Sequence, residues 1–107
     1  LPRLEHLWLL GNSLTGRIPN QVSIESPLSQ LYLNHNQLTG TIPVELSLLG
    51  SLTYVWLNDN ALSGVIPSNL TILGYLEDFR IQNNNIIGDS PFQDCHQAPP
   101  YMEADCD

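Results

Sequence analysis

Three large aromatic side chains recur at a constant interval in this chain: Trp8, Tyr32 and Trp56, each 24 residues from the last, with Arg80 one interval further on. Rings and a guanidinium in one series point to recognition, because Trp, Tyr and Arg dominate binding hot spots and aromatic faces also suit stacking on sugars. Tyr54, two residues before Trp56, flanks the series. The alternative is that rings on neighbouring strands stack on one another as a cross-strand ladder and bind nothing. The same interval aligns His35 with Asp59, close enough for a hydrogen bond or for part of a weak metal site. Gly11 and Asn83 complete that series without a second His, so an ordinary polar contact is the favoured reading. Asn69-Leu70-Thr71 is the one N-x-S/T sequon, placed where a turn should face solvent, and marks Asn69 as a glycosylation candidate. Cys95 and Cys106 are the only cysteines. In an acidic, lysine-free, sequon-bearing chain they read most simply as a disulfide closing a loop of about 12 residues, worth about 3 kcal/mol; pairing elsewhere or free thiols remain the alternatives. No nucleophile elbow, phosphate loop, dinucleotide fingerprint or zinc-type cysteine pair occurs, so no catalytic residue, metal or cofactor is expected.

The interval that aligns these residues also builds the elements that hold them. Asn12, Asn36, Asn60 and Asn84 repeat every 24 residues, as do Gly16, Gly40, Gly64 and Gly88, and Pro19, Pro43, Pro67 and Pro91. Apolar residues fall into columns on the same period: Leu7, Leu31, Val55, Phe79; Leu9, Leu33, Leu57, Ile81; Leu14, Leu38, Leu62, Ile86. Within each Leu-x-Leu the outer two residues point to one side of a short strand and the middle one to the other. The middle positions are Trp8, Tyr32, Trp56 and Arg80, which places them on the outer, concave face of stacked parallel strands. One unit cannot bury its own apolar face, so stacking is obligatory and the apolar columns form the core. The repeated Asn stands where the chain leaves the strand, positioned to satisfy backbone groups of the turn, so the ladder reads as structural. The hydroxyls of Thr15, Thr39 and Ser63 read as a second, shorter strand ladder, and the Val22, Leu46, Leu70 column starts a helical or 3₁₀ return.

Composition narrows the partners. The 107 residues carry eleven acids against three arginines and no lysine, a net charge of −8, which lacks the cationic footprint that neutralises phosphates. Nucleic acid is not an expected partner. Most of the acidity lies after Leu76, where seven acids face Arg80 alone, so it says little about the aromatic face. No apolar run is long enough to span a bilayer, so direct membrane insertion is not expected.

The unit L-x-x-L-x-L-x-x-N-x-L-x-G-x-I-P-x-x-L, read as Leu28, Leu31, Leu33, Asn36, Leu38, Gly40, Ile42, Pro43 and Leu46, resembles the plant-type leucine-rich repeat. The tail, with Phe92, Cys95, Ala104, Asp105 and Cys106, is similar to the cysteine-containing cap of secreted proteins of this class, algal ones included. The resemblance implies an α/β solenoid, a right-handed coil with short parallel strands on the concave face and 3₁₀ or irregular segments on the convex side. It further implies four repeats over about 1–24, 25–48, 49–72 and 73–91, then a cap segment over 92–107. The expected function is non-enzymatic recognition of a protein, peptide or glycan by a secreted or receptor-like protein at the cell surface. Two alternatives come with it. Leu1 falls in mid-repeat, which reads as a piece of a longer solenoid or as a subunit that self-associates end to end into a filament or matrix, and plant relatives include inhibitors of secreted hydrolases.

Overall fold

The computed structural model describes residues 4–20 and 26–88. Along the chain come β1 (His6–Trp8), β2 (Thr15–Arg17), β3 (Gln30–Tyr32) and β4 (Gln37–Thr39), then the 3₁₀ turn η1 (Val44–Leu48). They are followed by β5 (Tyr54–Trp56), β6 (Ser63–Gly64), the 3₁₀ turn η2 (Ser68–Ile72), β7 (Asp78–Arg80) and β8 (Asn85–Ile86). Strands β1, β3, β5 and β7 form one parallel sheet in that order. Its register keeps the sequence period, pairing Trp8 with Tyr32, Tyr32 with Trp56 and Trp56 with Arg80. Each coil returns through a second strand, pairing β2 with β4 and β6 with β8. There the partners are Gly16 and Leu38, or Gly64 and Ile86, so the second ladder advances by 22 residues rather than 24.

The core is the set of apolar columns that the period defines. Leu52, Leu57 and Leu62 of the central coil are fully buried, with Phe79, Val55 and Leu70 packed around them. In the first described coil, Leu7 and Leu14 are only half-buried and Leu9 is exposed, because among the described residues no coil stacks beyond β1. The Ile-Pro step follows each second strand: Pro43 and Pro67 sit in extended conformation at the entries to η1 and η2, with φ of −65° and −61° held by the ring. Leu46 and Leu70 of these turns are buried, which anchors the convex side to the core.

The asparagine ladder locks one coil to the next. Asn36 is buried; its Oδ1 accepts from the backbone N–H groups of Asn12 (3.0 Å) and Leu14 (2.9 Å) in the previous coil. Its Nδ2 donates to the carbonyls of Leu9, Leu33 and Asn34 at 2.9, 3.0 and 3.2 Å. Asn60 and Asn84 repeat the pattern, receiving the N–H of Leu38 and Leu62. Asn12, at the exposed edge, donates to the carbonyl of Leu10 within its own turn. The hydroxyl column is likewise structural: Thr39 Oγ1 donates to the Gly16 carbonyl and Ser63 Oγ to that of Gly40. The expected 3₁₀ return is present at Leu46 and Leu70. Val22, the 92–107 cap segment with Cys95 and Cys106, and the start of the first repeat at Leu1 lie outside the described residues.

Candidate ligand-binding site

The middle residues of the four concave strands meet as the period requires. Trp8 and Tyr32 lie with ring centroids 5.7 Å apart and planes within 12°, and Tyr32 and Trp56 at 4.1 Å and 18°. The Arg80 guanidinium covers the other side of Trp56, its carbon 4.1 Å from the ring centroid. His6 stacks on Trp8 at 5.6 Å, extending the series at the opposite end. The result is a continuous ridge across all four strands.

Stacking and exposure both occur, so the two sequence-level readings of these rings are not exclusive. Trp56 is sandwiched face to face between Tyr32 and Arg80 and is half-buried; Trp8 remains 58% exposed. A ligand therefore meets ring edges along the centre of the ridge and, at the Trp8 end, an indole that stays exposed although His6 and Tyr32 stack on it. Trp8 is held in place by its own Nε1, which donates to Gln30 Oε1 on the next strand at 3.1 Å. The Nε1 of Trp56 is buried with no hydrogen-bond partner. Tyr54 is half-buried beside the ridge. Burial, with Tyr54 and Asp78 adding, pushes the Tyr32 phenol above its ordinary range, and Arg80 opposes the shift.

Sequence reasoning missed the group that fixes the arginine. Asp78, two residues earlier on the same strand face, accepts from Arg80 Nε at 3.1 Å and from Nη2 at 3.2 Å. Alternation along β7 puts it on the concave face with Arg80, yet it is only 6% exposed. Its carboxylate lies beneath the guanidinium, and the i, i+2 pairing of an acid with an arginine was the signal available for it. Asn34 and Asn58 are covered in the same way. Both follow Leu-x-Leu on the concave side, yet both are buried, each with an Oδ1 that finds no partner.

His35, Asp59 and Asn83 come together as a polar chain. His35 Nδ1 lies 3.3 Å from Asp59 Oδ2, while Asn83 Nδ2 donates to Asp59 Oδ1 and Asn58 Nδ2 to Asp59 Oδ2, both at 2.7 Å. The Asn58 and Asn83 amides hold the Asp59 carboxyl below the usual carboxylate range, His35 adds to this, and burial opposes it. The residue types at these positions have a backbone cause. His35, Asp59 and Asn83 have φ of 57°, 60° and 60°, and Gly11 in the same column 68°; Gly, Asn, Asp and His are the residues that tolerate this left-handed region. The column is a turn requirement first and a polar surface second. Asn69 is exposed on η2, on the convex side.

The comparisons agree with the stacked-coil architecture. The family model described as Leucine Rich Repeat matches residues 3–23, 27–49 and 51–73. No curated protein matches. Among solved structures the chain is similar to the Arabidopsis receptor kinase HAESA, solved with the peptide hormone IDA and the co-receptor SERK1, at 35% identity and a TM-score of 0.81. That similarity covers 86% of this chain and 15% of the other. The BIR2 ectodomain from Arabidopsis thaliana is similar at 34% identity and a TM-score of 0.80, over 92% of this chain and 51% of that one. PEPR1, solved with AtPEP1, is similar at 39% identity and 0.79, over 82% and 12%. The chain thus spans about half or less of the length of these relatives. Three matched copies of a 24-residue unit, stacked through an asparagine ladder into a four-stranded parallel coil, make this chain a member of the leucine-rich repeat family.

Proposed function

We infer that this chain is a non-enzymatic, extracellular recognition module that binds a protein or peptide across its concave sheet, with the Trp8–Tyr32–Trp56 ridge and its Arg80 cap as the contact. The observation that carries this is the ridge itself: rings pre-stacked in register over three strands, capped by a guanidinium from the fourth and ending in a largely exposed indole. Rings already ordered by their neighbours lose little conformational freedom on binding, so the contact is preorganised. A polypeptide suits the site better than a glycan, because sugar stacking needs an open ring face, Trp56 lies between Tyr32 and Arg80, and Trp8 already has Tyr32 and His6 stacked against it. The similar structures lend support, since HAESA was solved with a peptide hormone and a co-receptor, and PEPR1 with AtPEP1. Those proteins extend far beyond the length matched here, so their ligands set the class and not the identity.

The test is affinity for the peptides retained by this chain from a displayed peptide library. Trp8→Ala removes the exposed anchor without opening the Tyr32–Trp56 stack. A hot-spot loss of about 2 kcal/mol or more, roughly 30-fold in Kd, is expected. Ile72→Ser on the convex side serves as the control and should bind as the unaltered chain does. Equal affinity in the Trp8 variant would remove the ridge from the contact.

A further inference from the structure

The convex side holds an apolar strip that the concave reading does not use. Val44 and Leu48 on η1 and Ile72 on η2 are exposed, Ile72 by 69%. A 3₁₀ turn has three residues per turn, so side chains at i and i+3 eclipse. Asn69 therefore shares an edge with Ile72, and Glu45 shares the equivalent edge with Leu48. The two turns pack side by side one repeat apart, which sets these four residues in a block: Leu48 and Ile72 along one side, Glu45 and Asn69 along the other. A few exposed apolar side chains are ordinary on a protein surface and by themselves name no partner. Here the chain itself provides an attachment point beside the strip, since exposed Asn69 opens the sequon completed by Thr71.

We propose that Asn69 carries an N-linked glycan whose first sugars lie over the Leu48–Ile72 strip. In the transfer, Nδ2 of Asn69 attacks the anomeric carbon of an oligosaccharide carried on a lipid pyrophosphate. The C–N bond forms, the C–O bond to the pyrophosphate breaks, the amide gives up one proton, and the lipid pyrophosphate departs. A sugar ring presents a C–H face to aliphatic side chains and hydroxyls from which the Glu45 carboxylate accepts. The glycan stands across the core from the ridge, so the concave face stays open. Transfer requires passage through a secretory compartment, which the extracellular part of the function proposed above supplies; it does not depend on the ridge.

The experiment is expression of the full chain behind a secretion leader in eukaryotic cells, with mass spectrometry before and after glycosidase treatment. Binding of an apolar fluorescent dye and solution size are read on the same samples. The expected result is a single glycan, mapped to Asn69 and lost in Asn69→Gln. Enzymatic removal should then raise dye binding and promote self-association, and a Leu48→Ser, Ile72→Ser double variant should abolish that rise. A secreted chain with unmodified Asn69 would overturn the site. A glycosylated chain whose dye binding and size are unaffected by glycan removal would overturn the shielding role. Neither readout involves a concave ligand, so failure of the ridge and failure of the glycan are distinguished.

Discussion

Replacing Asn36 by Ala strikes the coil where its backbone depends most on a side chain. Three groups lose their partner: the N–H of Asn12, the N–H of Leu14 and the carbonyl of Leu9. The Leu33 carbonyl still accepts from Asn60 Nδ2 and the Asn34 carbonyl from the Gly11 N–H, so neither is orphaned. A buried backbone group without a partner costs about 1–3 kcal/mol. Leu9 and Asn12 are exposed enough for water to restore part of this, which leaves about 2–4 kcal/mol in all. For a domain of this size that is a fall in Tm on the order of 10–25 °C. Asn60→Ala is milder. It strands the Leu38 N–H, while the carbonyls of Leu33, Leu57 and Asn58 keep donors from Asn36, Asn84 and the His35 N–H. The expected cost is about 1–3 kcal/mol. Asn12→Ala removes a bond within one exposed turn and should cost under about 0.5 kcal/mol. Urea and thermal unfolding followed by far-ultraviolet circular dichroism give the ranking directly. Equal costs at Asn12 and Asn36, or a loss below about 1 kcal/mol at Asn36, would refute the interlocking role assigned to the ladder.

Asp78→Asn should release Arg80 from its pose over Trp56, costing about 1–3 kcal/mol because the pair is only partly shielded; the near-ultraviolet circular dichroism of the stacked rings should change with it, and an unaltered spectrum would contradict the positioning role. Gly64→Ala should destabilise by about 1–3 kcal/mol, since Gly64 has φ of +77° and a Cβ there would lie 2.9 Å from the Thr41 methyl. Gly50→Ala meets nothing within 4 Å and should stay within about 1 kcal/mol in a thermal melt. Asp59 has a folded pKa below its unfolded one. Its stabilising contribution is therefore complete above the ordinary carboxyl value of about 3.9 and is lost as pH falls through the folded value. A carboxyl-carbon NMR titration should give a midpoint under 3.9, the ordinary value, and Asp59→Asn should remove the corresponding part of the acid-side slope in stability.

The coil was legible because its constraints recur. A leucine at one strand position is weak information, but Leu31, Val55 and Phe79 sharing one 24-residue interval with Asn36, Asn60 and Asn84 leave a single way to stack. The order and register of the concave sheet, and hence the series Trp8, Tyr32, Trp56 and Arg80, followed from that period. Alternation fixes only which side of the strand a residue faces, not how deeply its neighbours cover it. That is why the burial of Asp78, Asn34 and Asn58, which alternation puts on the concave side, could not be read from the sequence. The 22-residue advance of the second ladder was hidden because every residue column repeats at 24 and none at 22. The His35–Asp59 column shows the converse. Its residue types looked chemical, and a left-handed backbone at every member accounts for them.

The most direct test of the ridge as a binding surface uses the two tryptophans as reporters. Indole N–H resonances of the isotope-labelled chain are followed while a peptide selected on the unaltered chain is titrated in, alongside the methyl signals of Leu48 and Ile72. The account predicts that the Trp8 indole shifts with saturation, as its bond to Gln30 is rearranged, while the convex methyls stay in place. Saturable binding that moves Leu48 and Ile72 and leaves Trp8 unchanged would contradict it.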